Sequence, residues 1–118
     1  MYRLSKDVSL SFLIGVELLQ VCVGRNEVIL NFDRNVRLTI LSDFSVSVAG
    51  GHSIIYQETT TGAVALFPLL HDVIDQARAT EEGGLFLRFR SGMCVEAFDT
   101  SEQYESFWIS NGDKQIIV

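Results

Sequence analysis

Three successive runs with an apolar residue at every second position, at 27–32, 36–40 and 44–48, leave this chain few architectures. Val28, Leu30 and Phe32 share one side of an extended segment against Ile29 and Asn31, and Val36, Leu38 and Ile40 repeat the arrangement against Arg37 and Thr39. Phe44-Ser45-Val46-Ser47-Val48 alternates so regularly that one face is expected to be buried and the other wet. The breaks between these runs, Asp33-Arg34-Asn35 and Ser42-Asp43, consist of turn residues, so the segments read as neighbouring strands of an antiparallel meander. Upstream, residues 16–23 read as a strand closed by Gly24-Arg25-Asn26. Downstream, Gly50-Gly51 ends the meander, 53–57 reads as one more short strand, and 58–62 as a threonine-rich connection.

The period then changes. Leu66, Leu69, Leu70, Val73, Ile74 and Ala77 fall at helical spacing, Pro68 is tolerated in a first turn, and 81–84 closes the segment. The spacing predicts a single helix whose polar face carries His71, Asp72, Asp75, Gln76 and Arg78, with His71 and Asp75 on the same side. The last third returns to strands, at 85–90, 93–98, 104–110 and 114–118. In the first of these hairpins a two-residue turn sets Arg88 opposite Val95, and a three-residue turn sets Arg88 opposite Glu96 and Phe89 opposite Val95; the sequence leaves both open. Asn111-Gly112 is the strongest hairpin signal in the chain, and the apolar end at Val118 is expected to be paired within the sheet.

The chain has 118 residues, 47% of them hydrophobic and 20% charged, with a single proline, which suits one domain, 1–118, with its own core. Each amphipathic element must bury its apolar side against another. The expected fold class is therefore α+β: a mainly antiparallel β-sheet, built as two meanders, packed against one central helix.

Nine basic residues against 15 acidic ones give a net charge of −6, which disfavours nucleic acid and suits a basic protein partner. Negative charge also serves solubility alone. Cys22 and Cys94 sit in apolar strand-like runs and read as reduced core thiols. The apolar stretch 12–24 is interrupted by Glu17 and Gln20 and lacks a signal-peptide cleavage pattern, and no apolar run approaches the ~20 residues that span a bilayer. A cytoplasmic protein with no membrane partner is expected.

No catalytic signature stands out. Cys22, His52, His71 and Cys94 lack the close pair spacings of a zinc site, so neither metal nor cofactor is expected. His71 beside Asp72 and Asp75 reads better as solvated surface than as an acid–base pair. Gly50-Gly51-His52-Ser53 is the nearest approach to a nucleophile and base, yet adjacent strand residues point to opposite faces, so a plain glycine turn is the stronger reading. No activity as an enzyme is expected. The carboxylates, by contrast, group in sequence: Asp72 and Asp75, Glu81 and Glu82, then Asp99, Glu102 and Glu105. Together with Tyr104 and Trp108 as aromatic anchors, these offer a docking edge for a lysine- and arginine-rich protein. The plainer alternative makes each carboxylate an ordinary solvated charge and both aromatics core residues.

The pattern Val-Cys-Val-Gly-Arg-Asn-Glu-Val-Ile-Leu-Asn-Phe-Asp at 21–33, followed by Tyr104-Glu105-Ser106-Phe107-Trp108-Ile109, resembles small bacterial proteins found in toxin-immunity cassettes. The resemblance spans most of the chain, but its motifs describe a fold more than an activity. It implies an immunity protein of a contact-dependent or other polymorphic toxin system, one that neutralises a cognate basic toxin domain, such as a nuclease, by occluding it. It carries over no catalytic residues. A small-ligand-binding or self-associating accessory domain is the alternative, with an exposed sheet face carrying Phe86, Phe98 or Trp108 and a homodimer as its natural state.

Overall fold

Period-two sequences fold into strands that need a partner on their apolar side, and here the partner is a second sheet. The computed structural model describes residues 3–101 and 104–118. In chain order the elements are β1 (Leu18–Val23), β2 (Val28–Phe32), β3 (Val36–Ile40), β4 (Phe44–Ser47), β5 (Ser53–Tyr56), helix α1 (Thr59–Leu66), β6 (Ile74–Ala79), β7 (Leu85–Phe89), β8 (Cys94–Ala97), β9 (Phe107–Asn111) and β10 (Lys114–Ile117). They form two five-stranded antiparallel sheets, ordered β1-β2-β3-β9-β10 and β5-β4-β8-β7-β6. The expected α+β class, mainly antiparallel with one helix, is what the chain adopts.

The two inner faces meet in a common core. Leu30, Leu38 and Ile109 from the first sheet and Leu85, Leu87, Phe89 and Val95 from the second are almost fully buried, and the rings of Phe32 and Phe89 stack with centroids 6.5 Å apart. Burying side chains of this size contributes about 1.5–3 kcal/mol each. At two corners a ladder runs on past its strands: Leu41 N–H donates to Ser106 C=O at 2.9 Å, extending the β3–β9 pairing, and Phe98 N–H to Asp43 C=O at 3.1 Å, extending the β4–β8 pairing. At another corner Leu18 N–H donates to Asp72 C=O and Gly15 N–H to Ile74 C=O. Val118, buried, exchanges backbone hydrogen bonds with Phe107, so this end is paired as its composition suggests.

The helix lies earlier than its apolar spacing predicts. It begins at Thr59, inside the segment read as a connection, and continues through a 3-10 turn at Phe67–Leu69. It touches β1 and β2 of one sheet and β4 and β5 of the other, closing the gap between them. Gly62 makes that approach possible, because a Cβ there would collide with the Phe44 ring. Residues 74–79 are a strand, so Asp72 and Asp75 do not share a helix face and His71 does not stack above Asp75. His71 instead sits in the left-handed region, φ 72°, with its Nδ1 3.2 Å from Glu17 Oε2.

Neither register weighed for the 85–98 hairpin occurs. Arg88 stands opposite Cys94 and Leu87 opposite Val95. Gly92, at φ 93°, takes the left-handed position of a three-residue loop, which lets Phe89 N–H reach Met93 C=O at 2.9 Å. In the last hairpin Asn111 remains in its strand opposite Lys114, and the two-residue turn is Gly112-Asp113. Cys22 and Cys94 are free thiols in different sheets.

Candidate functional site

Strand register decides which side chains leave the core. On the outer face of the first sheet, Cys22, Ile29, Thr39, Trp108 and Ile117 stand side by side across five strands. The next row is polar, running Gln20, Asn31, Arg37, Ser110 and Gln115. Within it Arg37 Nε donates to Asn31 Oδ1 at 2.8 Å and Asn31 Nδ2 to Gln20 Oε1 at 3.1 Å. Those bonds hold the polar row flat beside an apolar stripe.

The stripe runs into a depression of about 610 Å³ lined by Asn26, Leu41, Tyr104, Glu105 and Trp108. Tyr104 is 71% exposed. Phe107 and Ile109 turn into the core, so Trp108 between them must face outward; it is half-buried there, between Thr39 and Ile117 in its row. Its Nε1 is shielded from solvent and has no hydrogen-bond partner among the described residues. A neighbouring hollow shares Asn26 and Leu41 and brings Asp43 and Glu58 to the same end of the sandwich, with Arg25 beside them. The arrangement offers apolar area, one indole donor without a partner among the described residues and several carboxylates, groups able to make apolar, hydrogen-bonding and ionic contacts with another molecule.

The carboxylates singled out from sequence do not form one edge. Tyr104 and Glu105 come together at the depression with Trp108. Asp72 and Asp75 flank the start of β6, whereas Glu81 and Glu82 lie in the turn beyond its end, about 20 Å away along the strand. Asp75 Oδ2 is 3.9 Å from Arg88 Nη1, and Asp72 Oδ1 accepts the Val73 N–H at 2.8 Å. Glu81 pairs with Lys6, whose ammonium hydrogen bond holds the carboxyl below its ordinary range. Asp99 is not a surface charge at all. It is buried, with Oδ1 accepting from Ser106 Oγ and Oδ2 from the Arg3 N–H, while Arg3 Nη2 donates to the Glu81 carbonyl. Glu102 lies outside the described residues. Glu82 is exposed and close enough to Glu96 to help raise the Glu96 carboxyl above its ordinary value, after burial, the larger cause.

Sequence reasoning passed over Leu41, Asn26, Asp43 and Ile117. Ile117 was open to detection, since it alternates out of the core in a strand that pairs with Trp108. The other three lie in connections, where no period marks a direction.

No helix among the described residues is long and apolar enough to cross a membrane. The chain matches no curated protein and no solved structure. Residues 12–118 match DUF6188, a family of unknown function, and the chain belongs to that family.

Proposed function

We propose that this chain is a non-catalytic, cytoplasmic binding protein of the immunity type, which neutralises a cognate basic bacterial toxin domain by covering it. The observation that carries the reading is the depression where Tyr104, Trp108 and Leu41 meet Glu105 on an outward sheet face. An exposed tyrosine beside a half-buried tryptophan, whose shielded indole N–H is unpaired among the described residues, brings together the residue types that dominate protein interfaces once a partner excludes water. Asp43, Glu58 and Glu105, in a chain of net charge −6, would draw a basic partner and speed its arrival. The likeness of 21–33 and 104–109 to immunity proteins supports the choice of toxin as partner.

The test is to search the neighbouring reading frame for a toxin domain and to titrate that domain with this chain by calorimetry. The wild-type chain should bind it tightly and suppress its activity, and Tyr104→Ala with Trp108→Ala should weaken binding at least about 100-fold while the fold persists. Unchanged affinity in that double variant would sink this placement of the interface. Absence of binding by the wild-type chain would remove the immunity reading.

A further inference from the structure

An edge strand leaves half of its peptide groups without a partner, and proteins commonly guard such edges with charge, proline or a bulge. Among the described residues, three of the four edge strands have such guards. β1 is bulged between Leu18 and Gln20, β6 is bulged between Ile74 and Gln76 and carries Asp75 and Arg78, and β10 carries Lys114. β5 has none. Its residues are Ser53, Ile54, Ile55 and Tyr56, paired to β4 without a register break, and Ile54 and Ile55 are 56% and 60% exposed.

The direction of its free peptide groups follows from the ladder. Asp43 and Phe98 form a hydrogen-bonded pair, so Ser45 and Ser47 turn their peptide groups toward β8, and Phe44 and Val46 turn theirs toward β5. Their partners Tyr56 and Ile54 are thereby satisfied, and the N–H and C=O of Ser53 and Ile55 point away from the sheet.

We propose that β5 is the seam of a homodimer, in which two copies pair their β5 strands antiparallel about a two-fold axis at Ile55 and join the second sheets into one ten-stranded sheet. A two-fold axis perpendicular to the sheet keeps outer face with outer face. In this register Ile55 exchanges both of its peptide hydrogen bonds with Ile55 of the other copy, and Ser53 pairs with Gln57. Ile54, which shares the inward side with buried Val46 yet is not covered by the first sheet, gains Tyr56 of the other copy. The same register sets His52 against the other copy's Glu58, both of them exposed, so opposite charges or a hydrogen bond meet twice in the dimer. The strand itself is uncharged, which lets two copies of a chain of net charge −6 approach along it.

Sedimentation equilibrium of the purified chain tests this directly. At about 100 μM the wild type should sediment at twice the monomer mass, as a small interface that forms only at such concentrations would. Ile55→Lys puts like charges at the axis, and Ser53→Pro removes an outward N–H while leaving the β4–β5 ladder whole. Each should weaken the dimer at least about tenfold. Ile55 is exposed, so Ile55→Lys retains the fold and decides the matter even if Ser53→Pro lowers the yield. His52→Glu should weaken association as well, and adding Glu58→Lys should restore it. A monomeric wild type, or a dimer that survives Ile55→Lys or a folded Ser53→Pro, overturns the proposal.

Discussion

Ser106 donates its hydroxyl hydrogen to Asp99 Oδ1 at 2.9 Å, with both side chains buried. The other carboxylate oxygen accepts the Arg3 N–H at 3.0 Å, so one side chain ties the N-terminal segment to the connection that passes from β8 to β9. Asp99→Ala leaves a buried hydroxyl and a backbone N–H without acceptors and should lower unfolding free energy by about 3 kcal/mol, measured in urea. Ser106→Ala, which strands less, should cost about 1–2 kcal/mol. An Asp99→Ala variant as stable as wild type would remove this staple from the account of the fold.

Gly62 faces the second sheet from α1, where the Phe44 ring fills the space a side chain would need. Phe44 is buried and packs on Tyr56 with ring centroids 5.9 Å apart, so it has little room to withdraw. In an isolated helix Gly→Ala would add about 1 kcal/mol of stability. Here the overpacking should exceed that gain, so Gly62→Ala should lower the unfolding free energy by a net of about 1–2 kcal/mol and the melting temperature with it. A raised melting temperature would show that the ring can yield.

The same region explains what the sequence concealed. Thr59, Thr60, Thr61 and Gly62 are weak helix formers, and the segment becomes helical because Ala63 and Leu66 can then be buried between the sheets. The apparent helix period downstream has a different origin: the bulge at Asp75 adds one residue to β6, so Ile74 and Ala77 reach the same face at a spacing of three. Alternation without such an insertion, in β2, β3 and β4, was legible directly. At the candidate site, Tyr104 and Trp108 could be singled out as aromatic anchors. That Asp99 would be buried, and that Asp72 and Glu81 would lie at opposite ends of a strand, depended on tertiary contacts that no local pattern encodes.

Glu96 stands on the outer face of the second sheet, opposite Ser45 on one side and Phe86 on the other. Burial, and then the nearby Glu82, raise its carboxyl above the ordinary value of 4.5, with Arg78 offsetting part of the rise. The native state therefore holds this proton more tightly than the unfolded chain does. The stability it contributes is complete below 4.5 and fades as pH rises through the elevated native value. Glu96→Gln escapes that loss and should be more stable than wild type at pH 7 by less than about 1 kcal/mol, given the partial exposure of the site. The gap should close by about pH 4. A gap that is constant with pH, or of the opposite sign, would contradict the assigned cause.

Adjacent residues on β9 should separate stability from binding. Phe107 is fully buried, and Phe107→Ala should cost about 3–5 kcal/mol and unfold the chain at lower urea. Trp108 faces outward with its Nε1 shielded and unpaired among the described residues, a group that burdens the free chain and becomes useful when a partner supplies an acceptor. Trp108→Phe keeps most of the apolar area and removes the orphan donor, so the free chain should be as stable as wild type or up to about 1–2 kcal/mol more stable. If the proposed partner supplies that acceptor, the same variant should dissociate from it faster, because it lacks the indole donor. Equal dissociation rates for Trp108→Phe and wild type would mean that the indole N–H stays unpaired in the complex, and would leave Trp108 an apolar contact without a directional role.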